Sequence, residues 1–169
     1  MSALAERAGL SQPFISQLES GAHAPSLQTL YRVAAALDVA PGELLADPRP
    51  LRGWVRHEPS QIVSSEAAHA PLTTILVPGG GESQLEAYEW DIRPGDADQQ
   101  WWQHDGEDLI YVISGTIQVE MEGAAPLLLR ARESAHLVDT NRPHRWASLP
   151  DEPARLLLVV TNPHAKAAR

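Results

Sequence analysis

The hydrophobic period of this chain changes near residue 47, and that change requires a helical segment joined to a separate β-rich one. Over residues 2–45 apolar positions recur at helical spacing. Leu4, Ala5 and Ala8 form a short first group that Gly9 ends. Ser11 is placed to N-cap a second helix through Phe14, Ile15 and Leu18, with Pro13 tolerated in the first turn and Gly21 closing it. Pro25-Ser26 opens a third helix carrying the stripe Leu27, Leu30, Val33, Ala34 and Leu37, and Pro41 starts one last turn. The run Asp47-Pro48-Arg49-Pro50 then breaks the pattern, so residues 47–61 read as linker plus an extended lead-in. Beyond it the period is two. Strands are expected at 73–77, 85–92, 109–113, 116–120, 127–130, 134–138, 144–147 and 155–160, divided by Gly and Pro. Many short strands at regular turn spacing make a sandwich or small barrel. The expected organisation is an α + β two-domain chain, all-α over 1–46, linker over 47–61 and all-β over 62–165.

Composition removes several function classes. A length of 169 residues accommodates two small modules, and 43% hydrophobic residues are enough for a packed core. Without cysteine there is no disulfide scaffold, zinc ribbon or thiol nucleophile. No run approaches the ~18 apolar residues of a membrane span, and Glu6 and Arg7 interrupt the N-terminus too early for a secretory signal. The expectation is a soluble cytoplasmic protein with no membrane partner. A net charge of -9 and a pI near 5.1 exclude a chain-wide nucleic-acid surface, because phosphates are met mainly by Lys and Arg. A small DNA-reading module remains compatible with them.

The second helix has the character of a reading element. Ser11, Gln12, Pro13, Ser16 and Gln17 share its polar face, with Ser20 at its end, while Phe14, Ile15 and Leu18 turn inward. Gln can make a bidentate pair with adenine, and Ser can bond a base or a phosphate. The strings SQxxISQLESG and PSxxTLxxxAxALxV resemble the helix-turn-helix of the xenobiotic-response-element family of regulators, related to the lambda-type phage repressors. That resemblance covers residues 2–45 and implies that Gln12, Ser16 and Gln17 read bases. The family module starts with one more helix, ahead of the position of Met1, so the segment reads as truncated, with the face of Leu4, Leu30 and Leu37 partly uncovered. The segment carries two arginines, Arg7 and Arg32, against Glu6, Glu19, Asp38 and Glu43, so phosphate binding should be weak. A helical packing or dimerisation unit that no longer binds DNA is the plainer alternative.

The β-rich half contains His104-Asp-Gly-Glu-Asp108 followed by Gly115, and later Pro143-His144-Arg-Trp146. These stretches resemble the two motifs of the cupin superfamily over about residues 62–162, which implies a double-stranded β-helix barrel. The resemblance puts His104 at the second histidine of the first motif, Asp108 at its acidic position and His144 at the last ligand, with Trp102 where the first histidine would stand. Two imidazoles and one carboxylate on adjacent strands can form a facial triad for Fe, Mn or Zn, with three positions open. The HxxxD…H spacing here is also similar to the HxxxE…H spacing of the hydroxypropylphosphonic acid epoxidase family, which shares the two-part layout. A metal-free pocket is the alternative for the same three residues. Trp102, His104, Tyr111, His144 and Trp146 are the expected lining of an effector pocket, although large aromatics more often fill a core. Arg130, Arg132, Arg142 and Arg145 form a basic group expected to pair with acids such as Glu133 or Asp139.

Together the two halves read as a homodimeric DNA-binding transcriptional regulator with operator DNA and a small-molecule effector as partners. A mononuclear non-haem iron oxygenase using His104, Asp108 and His144 is the rival.

Overall fold

A computed structural model describes residues 3–39, 41–45, 57–63, 70–80, 83–94, 96 and 100–161. The expected linker lies largely outside these residues. Helices α1 (Ala3–Ala8), α2 (Gln12–Glu19) and α3 (Leu27–Leu37) are followed by a 3-10 turn, Pro41–Leu44. Their ends follow from local chemistry. Gly9 and Gly21 take left-handed φ values of 63° and 69° after α1 and α2. Ser11 and Ser26 are N-caps, accepting hydrogen bonds from the Phe14 and Thr29 amides at 3.3 and 3.1 Å.

Nine strands follow: β1 (Ser60–Val63), β2 (Leu72–Val77), β3 (Leu85–Ile92), β4 (Asp108–Ser114), β5 (Thr116–Met121), β6 (Leu127–Arg130), β7 (Ser134–Leu137), β8 (His144–Ser148) and β9 (Ala154–Thr161). They build a six-stranded sheet ordered β1-β2-β3-β9-β4-β7 and a three-stranded sheet ordered β6-β5-β8. β1 begins inside the stretch expected as linker and lead-in. Gly115 (φ 77°) carries the chain from β4 in one sheet to β5 in the other, and a Cβ there would sit 2.3 Å from the Pro153 carbonyl.

Strand alternation places Tyr88, Trp90, Ile110, Val112, Ile117, Val119, Leu156, Leu158 and Val160 inside. Leu27 and Leu30 of α3 belong to the same buried cluster. Of the face expected to be partly uncovered, Leu30 is 4% exposed because the barrel covers it, Leu4 is half-buried and Leu37 stays 44% exposed. The 3-10 turn is pressed equally close. Any side chain at Gly42 would place its Cβ 1.8 Å from the Pro78 carbonyl oxygen.

Burying two leucines is worth about 1.5–3 kcal/mol each, so the helical unit is anchored by apolar packing. Leu30→Ala should lower stability by about 2–5 kcal/mol in urea unfolding, whereas Leu37→Ala on the same helix should change it by less than about 0.5 kcal/mol.

Candidate functional site

Asp108 opens β4 with its side chain inward, in register with Ile110 and Val112, and is fully buried. His144 opens β8 and is also fully buried. Its backbone exchanges hydrogen bonds with that of Trp102, at 2.7 and 2.9 Å, which fixes the loop bearing His104 to β8. Thr140 completes the support. Its hydroxyl donates to the carbonyls of His104 (2.9 Å) and Gly106 (2.7 Å), and its own carbonyl accepts from the His104 amide at 3.0 Å.

The result brings His104, Asp108 and His144 together, with one potential ligand atom from each lying within 4.8 Å of the others. Nε2 of His104 and of His144 lie 3.4 and 3.2 Å from Asp108 Oδ2. Their far nitrogens face backbone carbonyls, His104 Nδ1 that of Asp105 at 3.1 Å and His144 Nδ1 that of Arg142 at 2.9 Å. In a metal-loaded site a proton on each Nδ1 would satisfy those carbonyls and turn both Nε2 lone pairs towards the ion, the usual outer support of metal-binding histidines. Beyond these imidazole–carboxylate contacts, both carboxylate oxygens of Asp108 and Nε2 of His144 are buried without a hydrogen-bond partner. Buried polar atoms are rarely left so, and a divalent cation would satisfy all three at once. The donor set therefore fits one metal ion.

Burial is the largest influence on Asp108 and pushes its pKa up, but the two imidazoles outweigh it and hold the carboxyl below its ordinary value. Burial likewise pushes the His104 pKa down, and the bonding and charge of Asp108, the Asp105 carbonyl and Glu86 outweigh it, leaving the imidazole raised.

A cleft of about 490 Å3 opens above His104, walled on one side by Trp101, Trp102 and Gln103 and on the other by Gln28, Tyr31 and Arg32 of α3. Tyr31 is the contact residue: its ring meets Trp102 edge-on at 5.7 Å and His104 at 5.9 Å. Its hydroxyl donates to Glu86 Oε2 at 3.2 Å, which also accepts from Tyr88 at 2.6 Å, while Glu86 Oε1 accepts from the Gly42 amide at 3.1 Å. Glu86 thus ties α3 and the 3-10 turn to β3. Burial raises its pKa despite these donors.

Of the expected pocket residues, Trp102 and His104 line the cleft. Trp146 lies deeper and stacks with Trp102 at 6.4 Å, both standing edge-on to Trp90. Tyr111 is a correction. It is half-exposed on the outer face of β4, because three positions from Asp108 is the opposite parity. Ser11, Gln12, Pro13, Ser16, Gln17 and Ser20 are all exposed on or beside α2. Among the basic group, Arg145 pairs with Glu120 at 2.7 Å, not with Glu133 or Asp139, and lies over the Trp101 ring. Sequence reasoning missed Tyr31, Glu86 and Thr140. Glu86 was findable, since it shares inward parity with Tyr88, Trp90 and Ile92.

The pKa directions make two opposite pH trends. The raised His104 contributes stability that is complete below about pH 6.5 and is lost as pH rises through its folded value. The lowered Asp108 contributes stability present above about pH 3.9 and lost as pH falls through its folded value. Metal binding needs His104 neutral and therefore strengthens as pH rises. Thermal unfolding of EDTA-treated chain should show Tm falling as pH is raised past the His104 transition, while the Tm gain on adding Mn(II) or Zn(II) grows. His104→Gln should flatten both trends, and His144→Ala should abolish the metal-induced gain.

Comparison with known proteins agrees with this layout. Residues 1–44 match the family model "Helix-turn-helix" and residues 88–160 match "Cupin domain". An HTH_3 family transcriptional regulator from Vibrio cholerae is similar at 20% identity over 95% of this chain and 85% of its own, with a TM-score of 0.59. Hydroxypropylphosphonic acid epoxidase from S. wedmorenis is similar at 20% identity over 94% and 87%, with a TM-score of 0.53. A cupin-like protein from Thermotoga maritima matches at 21% identity over 60% and 76%, with a TM-score of 0.52. No curated protein sequence matches significantly. Among the described residues no helix is long and apolar enough to cross a membrane. The chain is an α + β two-domain protein in which a helix-turn-helix segment is joined to a cupin fold.

Proposed function

We propose that this chain is a DNA-binding transcriptional regulator whose cupin barrel binds a small-molecule effector and modulates operator binding. The observation that carries the reading is the double membership of α3. Leu27 and Leu30 belong to the barrel core and Tyr31 touches His104, while the same helix packs on α1 and its Arg32 holds the turn before α2. A ligand in the cleft therefore lies against the helix that supports the reading head. Gln12, Pro13, Ser16 and Gln17 would meet DNA from the exposed side of α2, flanked by the exposed Ser11, whose oxygen caps the helix, and Ser20, whose hydroxyl donates to the Gln17 carbonyl at 3.1 Å. A homodimer follows from the length of one recognition helix, which covers a half-site, so a two-fold protein reads a near-palindromic operator.

Arg32 is committed to the Ala8 and Gly9 carbonyls, which leaves Arg7 as the other arginine of the helical segment. Few phosphates can then be neutralised. His104, Asp108 and His144 would hold one divalent ion, Fe, Mn or Zn, through two imidazoles and a carboxylate. Bound there, the ion supplies Lewis acidity to an oxygen-bearing effector.

The second reading is a mononuclear non-haem iron oxygenase or epoxidase. It is favoured by the partnerless buried atoms of Asp108 and His144 and by the likeness of the whole layout to the epoxidase. Iron retained through purification, lost in His144→Ala, together with no DNA binding would establish it over the regulator.

Fluorescence titration against fragments of the gene's own upstream region tests the regulator. Binding should be specific at about 50 mM salt, with a log–log salt slope of only about −1 per head. Gln17→Ala and Gln12→Ala should each weaken the specific site by about 1–3 kcal/mol and leave non-specific binding unchanged. Absence of binding to every such fragment at low salt would contradict it.

A further inference from the structure

Tyr31 and Arg32 are consecutive in α3, yet their side chains serve different parts of the molecule. Tyr31 faces His104 and Glu86. Arg32 crosses to the turn between α1 and α2, donating through Nε to the Ala8 carbonyl at 3.0 Å and through a terminal nitrogen to the Gly9 carbonyl. Gly9 sits there in a left-handed conformation, and its neighbour Leu10 leads directly into the Ser11 cap of α2. Arg32 also lines the cleft above His104.

Three facts about Arg32 point the same way. Among the described residues it is the one lysine or arginine lining the cleft. It is half-buried, and no carboxylate among the described residues pairs with it: its acceptors are neutral carbonyls. Asp38, Glu86 and Asp105 line the same cleft, but none of them pairs with Arg32, and Glu86 is occupied by Tyr31, Tyr88 and Gly42. A guanidinium so placed is a docking point for an oxyanion, and a forked ion pair with a carboxylate is stronger than its bonds to neutral carbonyls.

We infer that the cleft between α3 and the barrel binds a small organic carboxylate, and that the carboxylate draws Arg32 away from the Ala8 and Gly9 carbonyls, releasing the turn that positions α2. Trp101, Trp102 and Tyr31 supply apolar walls for the body of the ligand, while the carboxylate lies towards α3. The inference deepens the regulator reading and rests on it only for the effect of the released turn on DNA binding. The ligand preference and the loosening of the turn are properties of the chain without DNA.

The test uses the full-length chain freed of metal with EDTA, so that no ion contributes to carboxylate affinity. Matched acid and amide probes, benzoate with benzamide and lactate with lactamide, are titrated by tryptophan fluorescence and by calorimetry. Hydrogen exchange over residues 5–15 is followed at saturation. At least one acid should bind tenfold or more tightly than its amide and should raise exchange at the Gly9 and Leu10 amides, which are held by Glu6 and Ala5. Arg32→Gln should erase the acid preference and show fast exchange at these amides without ligand. Arg32→Lys, which keeps the charge but loses the fork, should retain an acid preference with a smaller exchange response, and serves if Arg32→Gln does not fold. Equal affinity for acid and amide in both pairs, or saturating acid that leaves exchange over 5–15 unchanged, would overturn the inference. Loss of DNA binding alone would bear on the regulator reading and not on this one, because neither readout uses DNA.

Discussion

The contact of α3 with the mouth of the barrel is the interaction on which the rest of the molecule depends. A six-residue α1 and an eight-residue α2 are too short to be stable alone, because helix nucleation is unfavourable and short helices gain stability from tertiary packing. The packing here is supplied by Leu27 and Leu30, which enter a core otherwise made of strand residues and tryptophans. The polar complement is Glu86, a buried carboxylate taking one hydrogen bond each from α3, the 3-10 turn and β3. Removing any of those donors would leave a buried charge under-satisfied, so the contact is specific in register as well as adhesive.

That contact also explains why the site lies where it does. The barrel positions His104, Asp108 and His144 by strand parity and by the Thr140 and Trp102 bonds, which pin the 102–106 loop. The helical unit then roofs the opening with Tyr31, so the triad is sheltered while the cleft beside it remains accessible. A site built inside one module would act on that module alone. A ligand in a site roofed by the other module would touch the helix that supports α2, and any coupling so produced would be reciprocal.

Much of this was legible in the sequence, and the physical reasons are uneven. The strands were clear because a barrel is written in period two with Gly and Pro at the turns, and the helix caps were clear because Ser11, Ser26, Gly9 and Gly21 act within a few residues. The triad and its use for metal were legible through the likeness to the cupin motifs, but which nitrogen each imidazole turns to the backbone was not. Tyr111 was misplaced by ignoring parity relative to Asp108, an error the sequence itself could have corrected. The α3–barrel interface was illegible for a better reason. The apolar stripe of Leu27, Leu30 and Ala34 says that a face is buried, not what buries it, and Tyr31 is separated from Glu86 and His104 by 55 and 73 positions.

On the regulator reading, filling the triad and engaging DNA are coupled through α3. The direct measurement is the affinity of the intact chain for Mn(II) or Zn(II), by calorimetry, with and without a saturating DNA fragment that it binds specifically. Linkage predicts a shift of about fivefold or more, matched by an equal shift in DNA affinity when the metal is present. A metal affinity that is identical with and without bound DNA would contradict the coupling and reduce the α3 contact to a structural one.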